Sequence, residues 1–111
     1  MLLGTLQGAV GMDSRLQVHF HGMETSPALE ARIRERFEQL ERRCPGLTLC
    51  RVTVEKESRH HRTGNPFRVG LLVHRRGRDI VAGRGGADDG HADVYTALRD
   101  TFDAAERQLD A

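Results

Sequence analysis

At 111 residues the chain holds one compact domain and has no room for a cofactor domain beside a substrate domain. Hydrophobic residues make up 38% and charged residues 30%, and the longest apolar run is a few residues against the ~20 that a bilayer requires, which excludes a helical membrane span. The formal charge of +1 hides a division along the chain: residues 1–50 are neutral, residues 51–84 carry +6 and residues 85–111 carry −5, a basic middle suited to a polyanion and an acidic end.

Residues 1–14 have no hydrophobic period and three glycines, so they read as a flexible leader ahead of a single domain over 15–111, or as sequence upstream of an alternative start at Met12. They lack the basic start and small-residue cleavage site of a secretory signal, so the expected compartment is the cytoplasm. From Leu16 the alternation of Leu16, Val18 and Phe20 with Gln17, His19 and His21 predicts a half-buried strand that Gly22 ends. Ser26-Pro27 then supplies an N-cap and a proline at the first helical position, opening a helix that runs to about Arg43. Its apolar residues Leu29, Ile33, Phe37 and Leu40 form one stripe, flanked on one side by Arg32, Arg36, Gln39 and Arg43. Glu30, Glu35, Glu38 and Glu41 lie on the far side, with Arg34 and Arg42 among them.

After Pro45-Gly46 a second strand turns Cys50, Val52 and Val54 inward and Leu49, Arg51 and Thr53 outward. Residues 56–66 form a basic loop. A third strand with Phe67, Val69, Leu71 and Val73 inward hands over, through an Arg-rich turn at Arg75-Arg76-Gly77, to a short fourth strand near residues 79–83. A Gly/Asp-rich loop precedes an amphipathic helix built on Val94, Leu98, Thr101, Phe102, Ala105 and Leu109, with Asp88, Asp89 and Asp93 at its start. The order is β-α-β-β-β-α, an α+β fold: a four-stranded mixed sheet, its first two strands parallel, with two helices packed on one face. The open face is expected to carry His19, His21, Arg51, Arg68 and His74.

Little of this pattern suits catalysis. The serines at 14, 26 and 58 fall in leader, cap and loop, and Gly83-Arg84-Gly85-Gly86 lacks the Lys-Ser/Thr of a phosphate loop, so neither an enzyme nor a cofactor or small-molecule substrate is expected. Cys44 and Cys50 bracket Pro45-Gly46 without a redox or zinc spacing and read as reduced thiols, Cys50 in the core and Cys44 at a helix end, with a local disulfide as the alternative. His19 and His21 share a strand face that His74 could join, a weak metal pattern without a completing carboxylate or thiolate; solvated histidines are the plainer reading.

The Arg row on the first helix is more informative, because Arg32, Arg36 and Arg43 can meet successive phosphates along one nucleic-acid strand. Arg32 has a local partner in Glu35, whereas Arg36 and Arg43 have no acid three or four residues away in either direction. Arg75, Arg76 and Arg78 at the hairpin tip, and Arg59 and Arg62 in the long loop, extend the patch. A solvated face is the competing reading, and an Arg bias of 16 among 17 cations also follows from GC-rich coding. With the four Phe assigned to the core and a single Tyr left, recognition through phosphate and shape is expected rather than base stacking.

SPALEARIRERFEQLER and HADVYTALRDTFDAAERQL resemble the hibernation-promoting factor family, also called ribosome-associated inhibitor A or sigma-factor modulation proteins, over about residues 15–110. Asp93–Leu98 and Glu106–Leu109 are the most specific parts, and the H-H-R-T-G-N loop is similar to a subgroup. The resemblance implies the same fold and a protein that binds the small ribosomal subunit in the tRNA and mRNA channel, blocks translation and preserves idle ribosomes under stress. It also implies ribosomal RNA contacts from basic residues on both helices. Arg36 stands where the family has a Lys, and Arg107 matches the basic residue of E-R-Q-L; Arg32, Arg43, Arg75 and Arg76 join them from the helical wheel and the hairpin. Ala104 replaces the family's second-helix Lys, and Asp110-Ala111 stands where a Lys-rich tail usually follows.

A monomer off the ribosome is expected, without the extra domain by which long members pair ribosomes. A protein-interaction module using the acidic second helix is the alternative. Reversing both Arg36 and Arg107 is expected to weaken ribosome binding by well over about tenfold while largely preserving the fold, since Arg107 lies opposite its helix's apolar stripe and Arg36 at the edge of its own.

Overall fold

The computed structural model describes residues 14–56, 66–83 and 93–110. Along them run β1 (Leu16–His21), α1 (Pro27–Arg43), β2 (Leu47–Lys56), β3 (Phe67–Arg75), β4 (Arg78–Ala82) and α2 (Val94–Asp110). Arg59, Arg62, His60 and His61 of the basic loop, and Asp88 and Asp89 before α2, lie outside the described residues.

The sheet order is β1-β2-β3-β4, with β1 parallel to β2 and the other neighbours antiparallel. Alternation decides which side chains are covered: Leu16, Cys50, Val52, Val54, Val69, Leu71, Val73, Ile80 and Ala82 are buried on one face. Onto that face α1 lays Leu29, Ile33, Phe37 and Leu40, and α2 lays Ala97, Leu98, Phe102, Ala105 and Leu109. On the open face His19, His21 and Arg51 are exposed, while Arg68 and His74 are half-buried.

Local chemistry sets the element ends. Ser26 Oγ accepts from the Leu29 amide at 3.2 Å, and Pro27 starts the helix where no intrahelical donor is needed. Asp93 does more than complement the helix dipole, since its carboxylate caps α2 by accepting from the Tyr95 amide at 3.0 Å and the Thr96 hydroxyl at 3.0 Å. Gly22 ends β1 with φ +75, and a Cβ there would stand 2.2 Å from the Lys56 carbonyl oxygen, so only glycine fits. Arg15, just ahead of β1, holds both Glu41 oxygens at 2.5 and 2.6 Å, donates to the Leu47 carbonyl at 3.0 Å and lies 5.5 Å over the Phe37 ring. It ties strand, helix and sheet together.

Two expectations shift. The fourth strand spans Arg78–Ala82, one residue earlier than its alternation suggested. Phe67 faces inward but is only half-buried, because β1 ends opposite Glu55 and the Lys56–Phe67 pair overhangs it. There Lys56 Nζ sits 5.6 Å over the Phe67 ring.

Both cysteines are free and buried, Cys44 as the C-cap of α1 and Cys50 in the core. Burial pushes the Cys50 thiol up to about 12. Cys44 is also raised, by burial first and then by the Asp110 carboxylate, to which its Sγ donates at 3.8 Å.

Candidate nucleic-acid interface

Sequence places the arginines on three elements, and the fold brings most of them to one end. The two-residue turn Arg76-Gly77 has positive φ at both positions, 49 and 79, as a tight hairpin with right-handed twist requires. This aims the β3–β4 tip past the C-terminal ends of both helices. Arg75 Nε donates to the Pro45 carbonyl just after α1 at 3.0 Å, and Arg78 Nη2 donates to the Gln108 carbonyl in the last turn of α2 at 2.9 Å. The Arg76 guanidinium lies beside Gly46. Cations favour this end because both helix dipoles present their negative poles there, together with unpaired carbonyls.

The flank of α1 bearing Arg36 and Arg43 borders α2, whose acids both arginines reach. Arg36 Nη2 meets Asp103 Oδ1 at 2.7 Å, its Nη1 donates to Gln39 at 3.3 Å, and its guanidinium lies 5.8 Å over the Phe102 ring. Only 24% of its side chain is exposed, and its buried Nε makes no hydrogen bond among the described residues. Arg43, 61% exposed, pairs with Glu106 at 2.7 Å and with Asp110 at 3.5 Å. Both arginines lack local acids and find their partners across the helix seam. Arg32 pairs with Glu35 at 3.4 Å, as the local spacing implied, with both side chains mostly exposed.

Between the helices Arg36, Arg42, Arg43 and Glu106 line a groove of about 330 Å3, together with the buried Leu40 and Phe102. The helical wheel sets Arg42 on the acidic far side, yet in the last turn of α1 it lines this groove. Arg107 is exposed and makes no ion pair among the described residues. The site therefore has two kinds of cation: Arg42, Arg76 and Arg107 open to solvent, and Arg36 and Arg43 already held by carboxylates.

The histidines do not converge. His19 faces Thr53, whose partner on β3 is Gly70, four residues before His74, and His74 Nδ1 is hydrogen-bonded to Asp79. Among the described residues no group of three or more His, Cys, Asp or Glu side chains is placed to hold a metal ion. No helix among them is long and apolar enough to cross a membrane. Tyr95 is 43% exposed, so one aromatic ring stands outside the core.

The fold is that of two solved structures of low sequence identity. The crystal structure of the Thermus thermophilus Protein Y N-terminal domain superposes with a TM-score of 0.64 at 19% identity, covering 84% of this chain and 91% of that one. The structure of a ribosomal subunit interface protein from Coxiella burnetii gives 0.60 at 20% identity, covering 86% and 92%. No curated protein matches the chain in sequence. The family described as Sigma 54 modulation protein / S30EA ribosomal protein matches residues 16–111. The match runs from the first residue of β1 through both helices, and the chain belongs to that family, the one its helices resemble, of the hibernation-promoting factors.

Proposed function

We propose that this protein binds the small ribosomal subunit in the tRNA and mRNA channel through ribosomal RNA phosphates, and silences or preserves idle ribosomes under stress by occupancy, without turnover. The observation that carries this is the convergence of Arg43, Arg75, Arg76, Arg78 and Arg107 where the hairpin tip meets the ends of both helices. A cluster of cations at one end of a small domain suits a phosphate backbone, which demands charge at intervals and little base reading. Family membership supplies the ribosome as the source of that backbone, and the Coxiella relative is itself a ribosomal subunit interface protein. Arg32, Arg36 and Arg43 extend the contact along α1. In this role the protein is a cytoplasmic monomer when off the ribosome.

The alternative of a basic protein partner met by α2 is weakened by the ion pairs, since Asp103 and Glu106 already face arginines of α1. Salt separates the two readings. Three or four phosphate contacts predict a slope of about −2 to −4 in log K against log salt, steeper than a protein interface of mixed chemistry gives.

The test is co-sedimentation with purified small subunits at two salt concentrations, with large subunits as control. Salt-sensitive binding to the small subunit alone is expected, and Arg76→Glu combined with Arg107→Glu should weaken it by more than about tenfold with an unchanged circular dichroism spectrum. Binding that ignores salt, or a double variant that sediments like the wild type, overturns the proposal.

A further inference from the structure

The acids on α2 are placed as competitors for the anion that the arginines would hold. Asp103, Glu106 and Asp110 recur at spacings of three and four along one flank of α2, so all three face α1. Asp103 is 2.7 Å from Arg36, Glu106 is 2.7 Å from Arg43, and Asp110 reaches Arg43 from the next turn at 3.5 Å. These pairs are open to water on at least one side, the arginine side chains being 24% and 61% exposed. In such surroundings a carboxylate can be exchanged for a phosphate oxygen, because both offer planar or near-planar acceptor edges to the same guanidinium fork. Arg43 opens on the groove that Arg42 also lines, so the exchange has a place to occur without the helices separating.

We infer that Asp103, Glu106 and Asp110 are affinity-setting residues: a bound polyanion must displace them from Arg36 and Arg43, and they hold the free protein in a state of reduced phosphate affinity. The inference rests on the proposed ribosomal RNA contact for its biological ligand, but not for its chemistry. It makes two of the arginines conditional and leaves Arg42, Arg76 and Arg107 to form the first contacts. Binding then proceeds in two stages, capture by the open arginines followed by exchange at the helix seam.

General charge has to be separated from local competition, since removing any acid raises attraction to a polyanion. The test compares Asp103→Asn/Glu106→Gln/Asp110→Asn with a control of equal charge change, Glu24→Gln/Glu38→Gln/Glu55→Gln, whose three positions are exposed and carry no ion pair to Arg36 or Arg43. Asn and Gln keep an acceptor for the guanidinium, and Glu106→Gln alone covers the case in which the triple variant unfolds. The first readout is the salt concentration at which each protein elutes from immobilised heparin. The second is co-sedimentation with small subunits.

An exposed ion pair gives up roughly 1.5- to 5-fold in equilibrium constant when it is broken, so the triple variant should bind both polyanions roughly threefold to tenfold more tightly than the control. Elution of both triple variants at the same salt overturns the inference, as does earlier elution of the α2 variant. Later elution from heparin combined with no small-subunit binding by any protein supports the competition and rejects the ribosomal reading, so the two failures are distinct.

Discussion

Arg76 occupies a position that its own chemistry disfavours. At φ 49 it sits in the left-handed region, where a side chain costs about 1 kcal/mol relative to glycine and where Asn is the best-tolerated alternative. Nothing about the hairpin demands arginine there, for the strands pair from Arg75↔Arg78 inward and the neighbouring Gly77 already supplies the second positive φ. A strained, exposed arginine at the tip of a tight hairpin fits a contact role. Arg76→Asn should therefore stabilise the fold by about 0.5–1 kcal/mol, raising the melting temperature by a few degrees, while weakening small-subunit binding. Thermal denaturation and co-sedimentation on the same preparation check it, and a variant that both melts lower and binds as well removes the functional reason for the arginine.

On a helical wheel Arg107 lies opposite its apolar stripe and Arg36 at the edge of its own, and the packed helices widen that difference. Arg36 is wedged between Asp103 and the Phe102 ring, whereas Arg107 projects into solvent. Arg36→Glu would set a carboxylate against Asp103 and remove a guanidinium from a half-closed seam, costing about 2 kcal/mol, between the values for exposed and buried pairs. Arg107→Glu should cost about 0.5 kcal/mol or less. The expectation that both reversals together spare the fold is therefore corrected at Arg36. Urea denaturation of the two single variants measures the difference, and equal midpoints would show that the seam carries no energy.

The same contrast marks what the sequence makes legible. Strand alternation, the Ser26-Pro27 start and the stripes of both helices depend on neighbours a few residues apart, so element order and the covered face follow from periodicity, and the strand pairing from the connections between elements. Partners across a seam depend on how two helices cross and on their relative register, which no local spacing encodes. Hence Arg36 and Arg43 read as unpaired although their acids lie 67 and 63 positions away, and the anchoring of Arg75 and Arg78 on helix-end carbonyls was equally hidden.

At the scale of the whole molecule these elements share one core, and Cys50 lies inside it, fully buried between the sheet and the helices. Its thiol can ionise only when that core opens, which for a domain of this size means global unfolding. The folded-state value of about 12 stands above the ordinary value of 9.0, so between those limits the unfolded chain has lost a proton that the folded protein keeps. Fewer protons bound in the unfolded state means that stability falls as pH rises, starting near the unfolded value, and that this group contributes nothing below it. Cys44, raised in the same direction, adds to the trend. Cys50→Ala removes the contribution of the buried thiol and leaves every other alkaline titration common to both proteins. Between pH 8.5 and 10.5 the wild type should therefore lose about 2 kcal/mol more unfolding free energy than Cys50→Ala, although the variant is the less stable protein at neutral pH because of the cavity. Urea denaturation at the two pH values under reducing conditions gives the double difference. Parallel losses in the two proteins would mean that the thiol reaches water without global unfolding, and that the sheet and helices do not close as one unit over β2.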